Sequence, residues 1–379
     1  MRHTQQSIQN LMKQKEENSK LIDSRNQLLN EQYRLESELS KIYNAKSYKL
    51  WQKINRIKSI LINHTRQKIL PYKQILLPVK YIYHQFYFKY LEIEFFTRLK
   101  TTTYEYIVQN HTDSPKVSIL IPTYGSTGHL DVLLNSINKH PDTMTYEILI
   151  CNDKPDSKKT VEDWAKENKN LLKKLHVTII SGSNNLGFVA SINKLAEISK
   201  GEYLHLLNDD TEVINNSWLS ALIKPLKGND IEVSGSFLIY PDKKLVQHAG
   251  MYPFRKIDKK IYNYHYFKFF NIKFPKITSS TVPMVTGASL ATKRTTFFNH
   301  DMLDYHYLGA GGFDDSDFCN KIVKDNKRIF FSYESVLIHY EGLTVKTPSK
   351  KRSLIYQHNH DYYQSKWSKF LIKTYPQYV

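Results

Sequence analysis

SNNLGFVASINKLAEISKGEYLHLLNDDTEV, residues 183–213, carries a loop, a helix and a strand in one run. Gly187 closes a polar turn, the apolar residues from Phe188 to Ser199 recur at helical spacing, and Gly201 ends that pattern. Glu202 to Asp210 then reads as a strand whose apolar residues run directly into Asn208, Asp209 and Asp210. Adjacent carboxylates at a strand end repel each other unless a cation lies beside them. A hard divalent ion with oxygen ligands, Mg2+ or Mn2+, meets that need and bridges to a diphosphate. Asn-Asp-Asp-Thr is also good turn and helix-cap chemistry, so the run alone leaves both readings open.

Working outward, the same alternation extends upstream. VSILIPTY (Val117 to Tyr124) is a short β-branched run, followed by a helical segment from His129 to Asn138 and a second strand from Glu147 to Asp153. A helix around Val161 to Leu175 and a strand from His176 to Ile180 complete the series. Strands and helices alternating at this spacing predict an α/β fold with a mostly parallel, doubly wound sheet. Ligands of such sheets bind at the carboxyl ends of the strands, where Tyr124, Asp153, Asp209 and Asp210 fall.

The rest of the chain has a different texture. Residues 1–46 lack Gly and Pro and space Leu21, Leu28, Leu35 and Ile42 at sevens, which fits a weak coiled coil, with homodimerisation through it, or a single solvated helix. From Lys41 to Lys100 there are thirteen basic residues against Glu92 and Glu94, a large part of the net charge of +18. Leu50, Trp51, Ile54, Ile57 and Leu61 share one helical face, and Tyr81 to Phe96 is rich in rings. Residues 47–112 therefore read as a basic, aromatic, amphipathic collar for an anionic membrane surface, or as a helical collar packed on the following domain. No run approaches the ~18 apolar residues of a spanning helix. The chain has two cysteines, and MRHTQQSIQNLMKQKEENSK has no apolar signal-like run, so a cytoplasmic setting with peripheral attachment to the inner face of the membrane is expected. The charge also suits nucleic acid, but no nucleic-acid reading motif is present.

In order along the chain, VSILIPTY, EILICND, the run 183–213, QHAGMY, VTGASLATKR, DDSDFCNKI and VLIHYEG resemble glycosyltransferase family 2 over roughly Lys116 to Gly342. The resemblance implies a GT-A fold over residues 113–345, with 346–379 as a helical tail. It implies an inverting transfer from a nucleotide-sugar donor, UDP-linked by preference, to a glycan or lipid-linked acceptor in capsule, O-antigen or wall polysaccharide synthesis. Mn2+ or Mg2+ is the implied cofactor.

Residue by residue, the resemblance puts Pro122, Thr123 and Tyr124 at the nucleotide, and Asp153 on the base. The family usually has two acids before a Gly-Ser turn there, whereas this chain has Asn152, Asp153, Lys154 and Pro155, which leaves the base open. Asn185 and Gly187 match the loop near the nucleotide, Asp209 the ribose or sugar contact, Asn208 the place where many relatives carry the first acid of an Asp-x-Asp motif, and Gly287 the turn beside the donor sugar. Asp210, with Asp209 and His339, matches the metal shell. In DDSDF, Asp315 takes the role of general base, with Asp314 and Asp317 as helpers or caps. Gly311, Gly312 and Phe313 abut this motif instead of preceding it by ten or so residues, so the choice between Asp314 and Asp315 stays open. His248 is an acceptor contact or a core histidine, and Lys350, Lys351 and Arg352 either fold over the diphosphate or form a solvated tail. The rivals are a sugar nucleotidyltransferase, whose glycine-rich phosphate loop is missing, and a coiled-coil membrane scaffold carrying a degenerate transferase domain.

Overall fold

The computed structural model describes residues 88–89, 91–110, 112–256, 258–273, 276–340 and 350–379. The coiled coil of 1–46, dimerisation through it, and residues 47–87 of the expected collar lie outside the described residues, as do the side chains of Lys350 and Lys351. A helix over 91–101 (α1) leads into β1 (Tyr104–Gln109), β2 (Val117–Thr123), α2 (Thr127–Lys139) and β3 (Tyr146–Asn152). Next come α3 (Lys158–Glu167), α4 (Lys169–Lys174), β4 (Val177–Gly182), α5 (Phe188–Ile198), β5 (Tyr203–Leu207), β6 (Thr211–Val213) and α6 (Trp218–Ile223). The remaining strands are β7 (Ile231–Ile239), β8 (Val246–His248), β9 (Met251–Arg255), β10 (Ile261–His265), β11 (Ser280–Val282), β12 (Ser289–Lys293) and β13 (Arg328–His339). Among them stand α7 (Arg294–Asn299), α8 (Asp314–Lys324) and, last, α9 (Lys350–Thr374).

The large sheet runs β1-β4-β3-β2-β5-β12-β7-β13-β11, with β6 on β13 and β8 on β7. Its centre, β4-β3-β2-β5, is parallel. Period-two alternation explains why both faces are covered. Ile119, Ile121, Ile148 and Ile150 pack with Leu130, Leu134, Trp164 and Trp218 on one face. Leu120, Leu149, Leu204 and Leu206 pack with Ile192, Leu195, Phe318 and Trp367 on the other. Trimming any of these fully buried chains to alanine costs about 2–5 kcal/mol.

Two expected boundaries move. β1 pairs antiparallel with β4, so residues 104–109 are an edge strand of the sheet rather than the end of a collar. Tyr363, Trp367 and Leu371 of α9 are buried in the second core layer, so the C-terminal helix is a wall of the domain and not a tail. β12 runs antiparallel between β5 and β7, which makes the sheet mixed around its parallel centre. Among the described residues no helix is long and apolar enough to cross a membrane.

Candidate active site

β5 ends where its apolar residues give way to Asn208, and the next two side chains diverge. Asp209 turns towards β2, where its Oδ2 accepts the Thr123 hydroxyl at 2.6 Å. Asp210 turns towards β13, whose register on β6 pairs His339 with Thr211. His339 Nε2 stands 3.1 Å from Asp210 Oδ1, a buried oxygen that receives no hydrogen bond from the described residues. Pointing apart reduces the repulsion expected of neighbouring carboxylates. Burial pushes the Asp210 carboxyl up, but His339 and His129 outweigh it and hold it below its ordinary value. Asp209, Asp210 and His129, together with Val132, Thr211 and Tyr340, line an open cleft.

Two residues of this cluster have no role assigned by their sequence context, although Gln247 opens the QHAGMY segment. His129, in the first turn of α2, has Nδ1 3.9 Å from Asp209 Oδ1, and that carboxylate, with Asp210 behind it, raises the imidazole's pKa. Gln247, on β8, donates from Nε2 to the His339 carbonyl at 3.1 Å and takes His339 Nδ1 on its Oε1 at 2.7 Å. The first bond sets the amide's orientation, so His339 must carry a proton on Nδ1. In the neutral ring the Nε2 lone pair then meets the Asn208 amide at 3.4 Å and also faces Asp210 Oδ1 at 3.1 Å, two acceptors that a proton or a metal ion would reconcile. This donor set fits a divalent ion. Among the described residues no three His, Cys, Asp or Glu side chains converge on one point, so such an ion would take its other ligands from water and substrate phosphates.

At the neighbouring strand ends, Asp153 accepts the backbone N–H groups of Leu186 and Gly187, each at 2.7 Å. Burial pushes its pKa up to about 6 against the pull of those two bonds. Gly187 has φ +86°, and a Cβ there would lie 2.0 Å from the Gly309 carbonyl oxygen, so only glycine lets the loop pass. Asn185 is exposed on that loop and Pro122 half-buried on β2. The Tyr124 ring is exposed, with Lys154 Nζ 5.5 Å from its centroid.

The acids of DDSDF separate cleanly. Asp315 is half-buried. Its Oδ2 accepts Gly287 N–H at 2.9 Å and its Oδ1 the Ser316 N–H at 2.6 Å. The Asn208 N–H, in turn, reaches the Ala288 carbonyl at 3.1 Å, so the Gly287 turn joins this acid to the β5 end. Asp314 is buried, with Oδ1 on the Gly312 N–H at 2.6 Å. Burial raises both pKa values; Asp314, which also feels the Asp315 charge, reaches about 7. Asp317 is a different case. Its Oδ1 receives Trp367 Nε1 at 2.6 Å, Lys366 Nζ at 2.7 Å and the Tyr307 hydroxyl at 3.1 Å. It is fully enclosed and ties α8 to α9, which corrects the expectation of a catalytic helper. Asp304 also holds Lys366 and Tyr362 of α9. His248 is interior, its Nδ1 2.9 Å from that of His265 and its pKa driven well down by burial, so the core reading of this residue holds and the acceptor reading does not.

Residues 118–295 match the family model described as glycosyl transferase family 2. The stretch 118–295, just under half of the chain, is thus similar to glycosyltransferase family 2. The mixed sheet with a parallel centre has the α/β arrangement that the resemblance implies. Over 141 residues, 36% of its length, the chain is 28% identical to the O-antigen biosynthesis protein RfbC of Myxococcus xanthus. Over 271 residues, 67% of the chain, it is 25% identical to the protein y4gI of Sinorhizobium fredii. These matches span 10% and 28% of the relatives' own lengths. Among solved structures, GalNAc-T7 with UDP, GalNAc and Mn2+ superposes with a TM-score of 0.48 at 14% identity, covering 70% of this chain and 59% of that one. TarS of S. aureus with UDP-GlcNAc gives 0.42 at 16% identity, covering 62% and 60%.

Proposed function

We propose that this chain is an inverting glycosyltransferase that moves a sugar from a nucleoside diphosphate, UDP by preference, to a glycan or lipid-linked acceptor in cell-surface polysaccharide synthesis. The observation that carries the reading is the pair of acceptors, Asp210 Oδ1 and His339 Nε2, facing one another at the end of β5. Asp210 and His339 would hold a divalent ion there, which would supply positive charge to the diphosphate leaving group.

The chain's own residues do the rest. Tyr124, at the mouth between β2 and β3, offers an exposed ring to the base, and Asp153 keeps the 186–187 loop close to it. Asp315 takes the proton of the acceptor hydroxyl as that oxygen bonds to the anomeric carbon, while the bond from that carbon to the diphosphate oxygen breaks. One displacement inverts the configuration and needs no covalent enzyme intermediate. Gly287 N–H and Ser316 hold the carboxylate in place before and after the proton moves. The relative named for O-antigen biosynthesis supports the surface-polysaccharide setting, and the basic stretch 41–100 supports attachment to the cytoplasmic face of an anionic membrane.

The purified full chain, incubated with a panel of nucleotide sugars, should release nucleoside diphosphate with Mn2+ or Mg2+ and stop in excess chelator. Asp210→Ala should lose the activity. Equal turnover by that variant in chelator would remove the metal assignment, and failure to bind or turn over any nucleotide sugar would remove the function.

A further inference from the structure

A second surface is formed by residues other than those that line the cleft. β9 and β10 form a two-stranded hairpin in which Tyr252 pairs with Tyr264 and Phe254 with Tyr262. Alternation sends Met251 and Ile261 into the core; on the other face the Tyr262 ring packs on His360 and the Tyr252 ring on Tyr378, while Phe254 and Tyr264 stay exposed. The rings continue beyond the hairpin as one ridge. Successive centroids lie 5.3 Å apart from Phe254 to Tyr264, 6.4 Å to Tyr252, 4.6 Å to Tyr266, 6.3 Å to Phe267 and 6.2 Å to Phe270.

Phe269 and Phe270 are 59% and 54% exposed, a costly way to place large apolar rings in water. The loop that presents them is built, not loose. Phe267 and Phe269 adopt φ of 56° and 70°, a region that bulky side chains avoid. The backbone there is pinned by Phe269 N–H to the Val246 carbonyl and Val246 N–H to the Phe270 carbonyl, both at 2.8 Å. Strain held in place by such bonds points to a use for the exposed rings.

Charge identifies the partner. Residues 252–276 contain seven Lys or Arg and a single acid, Asp258. Lys256 and Lys268 lie 5.7 and 5.6 Å from the Tyr264 and Phe269 centroids, so cations flank the ridge. Rings that bury among acyl chains beside cations that meet phosphate headgroups are the chemistry of an interfacial contact. A neutral glycan has no use for that charge. We infer that the ridge from Phe254 to Phe270 is a membrane-docking surface for anionic lipid. The inference does not depend on the reaction proposed above.

The test uses the full chain with Asn271→Cys carrying an environment-sensitive dye; Cys151 and Cys319 are buried and escape labelling. With vesicles containing anionic lipid, the dye should shift to the blue and be quenched by nitroxide-bearing lipid, and neutral vesicles should leave it unchanged. A variant combining Phe267→Ala, Phe269→Ala and Phe270→Ala should weaken that signal about tenfold or more, and so should Lys256→Glu with Lys273→Glu. The charge variant leaves the rings in place, so a folding failure of the triple variant does not decide the outcome. If the protein sediments with anionic vesicles while the dye stays aqueous and unquenched, the membrane contact lies elsewhere and the inference fails. A dye response to soluble oligosaccharide without vesicles would overturn it in favour of a glycan platform.

Discussion

Gln247 grips His339 by two bonds, donating to its backbone carbonyl at 3.1 Å and receiving its ring nitrogen Nδ1 at 2.7 Å. The pair fixes which imidazole nitrogen faces Asp210. In Gln247→Leu the ring loses its partner and the other tautomer becomes available, so Mn2+ affinity should fall by about tenfold to a hundredfold. Gln247→Glu keeps an acceptor for Nδ1 and should lose much less. Titration calorimetry of Mn2+ with nucleoside diphosphate reads the affinity, and nitrogen NMR of His339 reads the tautomer. An unchanged tautomer in Gln247→Leu would refute the positioning role.

Asp315 should behave as a base without being a binding group. Asp315→Asn retains an acceptor for Gly287 N–H and should leave nucleotide and Mn2+ binding nearly unchanged while slowing single-turnover transfer by ~10²-fold or more. Asp314→Asn should slow it far less, because that carboxyl is enclosed and bonded to Gly312. Should Asp314→Asn be the more damaged in transfer, the base must be reassigned.

Asp314 also sets a pH dependence of stability. Its pKa rises from 3.8 to about 7 in the folded chain, chiefly through burial. The folded protein therefore holds a proton that the unfolded chain has released across that window. Stability from this group is complete below the unfolded value and is lost as pH climbs through the folded one. In Asp314→Asn the fall in Tm between pH 5 and pH 8 should shrink, by about 4 °C or more. Identical pH profiles for the two proteins would show that the carboxyl titrates normally.

Asp317 is expected to matter for folding and not for the reaction. Removing it leaves the Trp367 indole and the Tyr307 hydroxyl without their buried acceptor, a loss of about 1–3 kcal/mol, while Lys366 keeps Asp304. Asp317→Ala should lower Tm sharply while any folded fraction at low temperature still binds nucleotide with ordinary affinity. A normal Tm combined with lost transfer would restore the catalytic reading of this acid.

How much of this was legible in advance follows from the range of each interaction. The strands from Val117 to Asp210 and the acids at their ends stand in the sequence because period-two and helical apolar spacing are local patterns. The antiparallel insertion of β12 and the edge strand β1 were not legible, since the pairing of a short strand depends on partners far along the chain. The same holds within the site.

Asp209, Asp210, Asp315 and His339 were named by the sequence on motif and order alone. It took the tertiary structure to bring His129 towards Asp209, to set Gln247 against His339, and to turn Asp317 from the cleft to the Trp367 indole. Those roles depend on where a side chain points and on what encloses it. Residue 317 and residue 367 meet only because α9 returns to the second face of the sheet, and no spacing along the chain encodes that return. Sequence alone determined which chemistry the strand ends can support; packing decided which of the candidate groups face the cleft and which are spent holding it together.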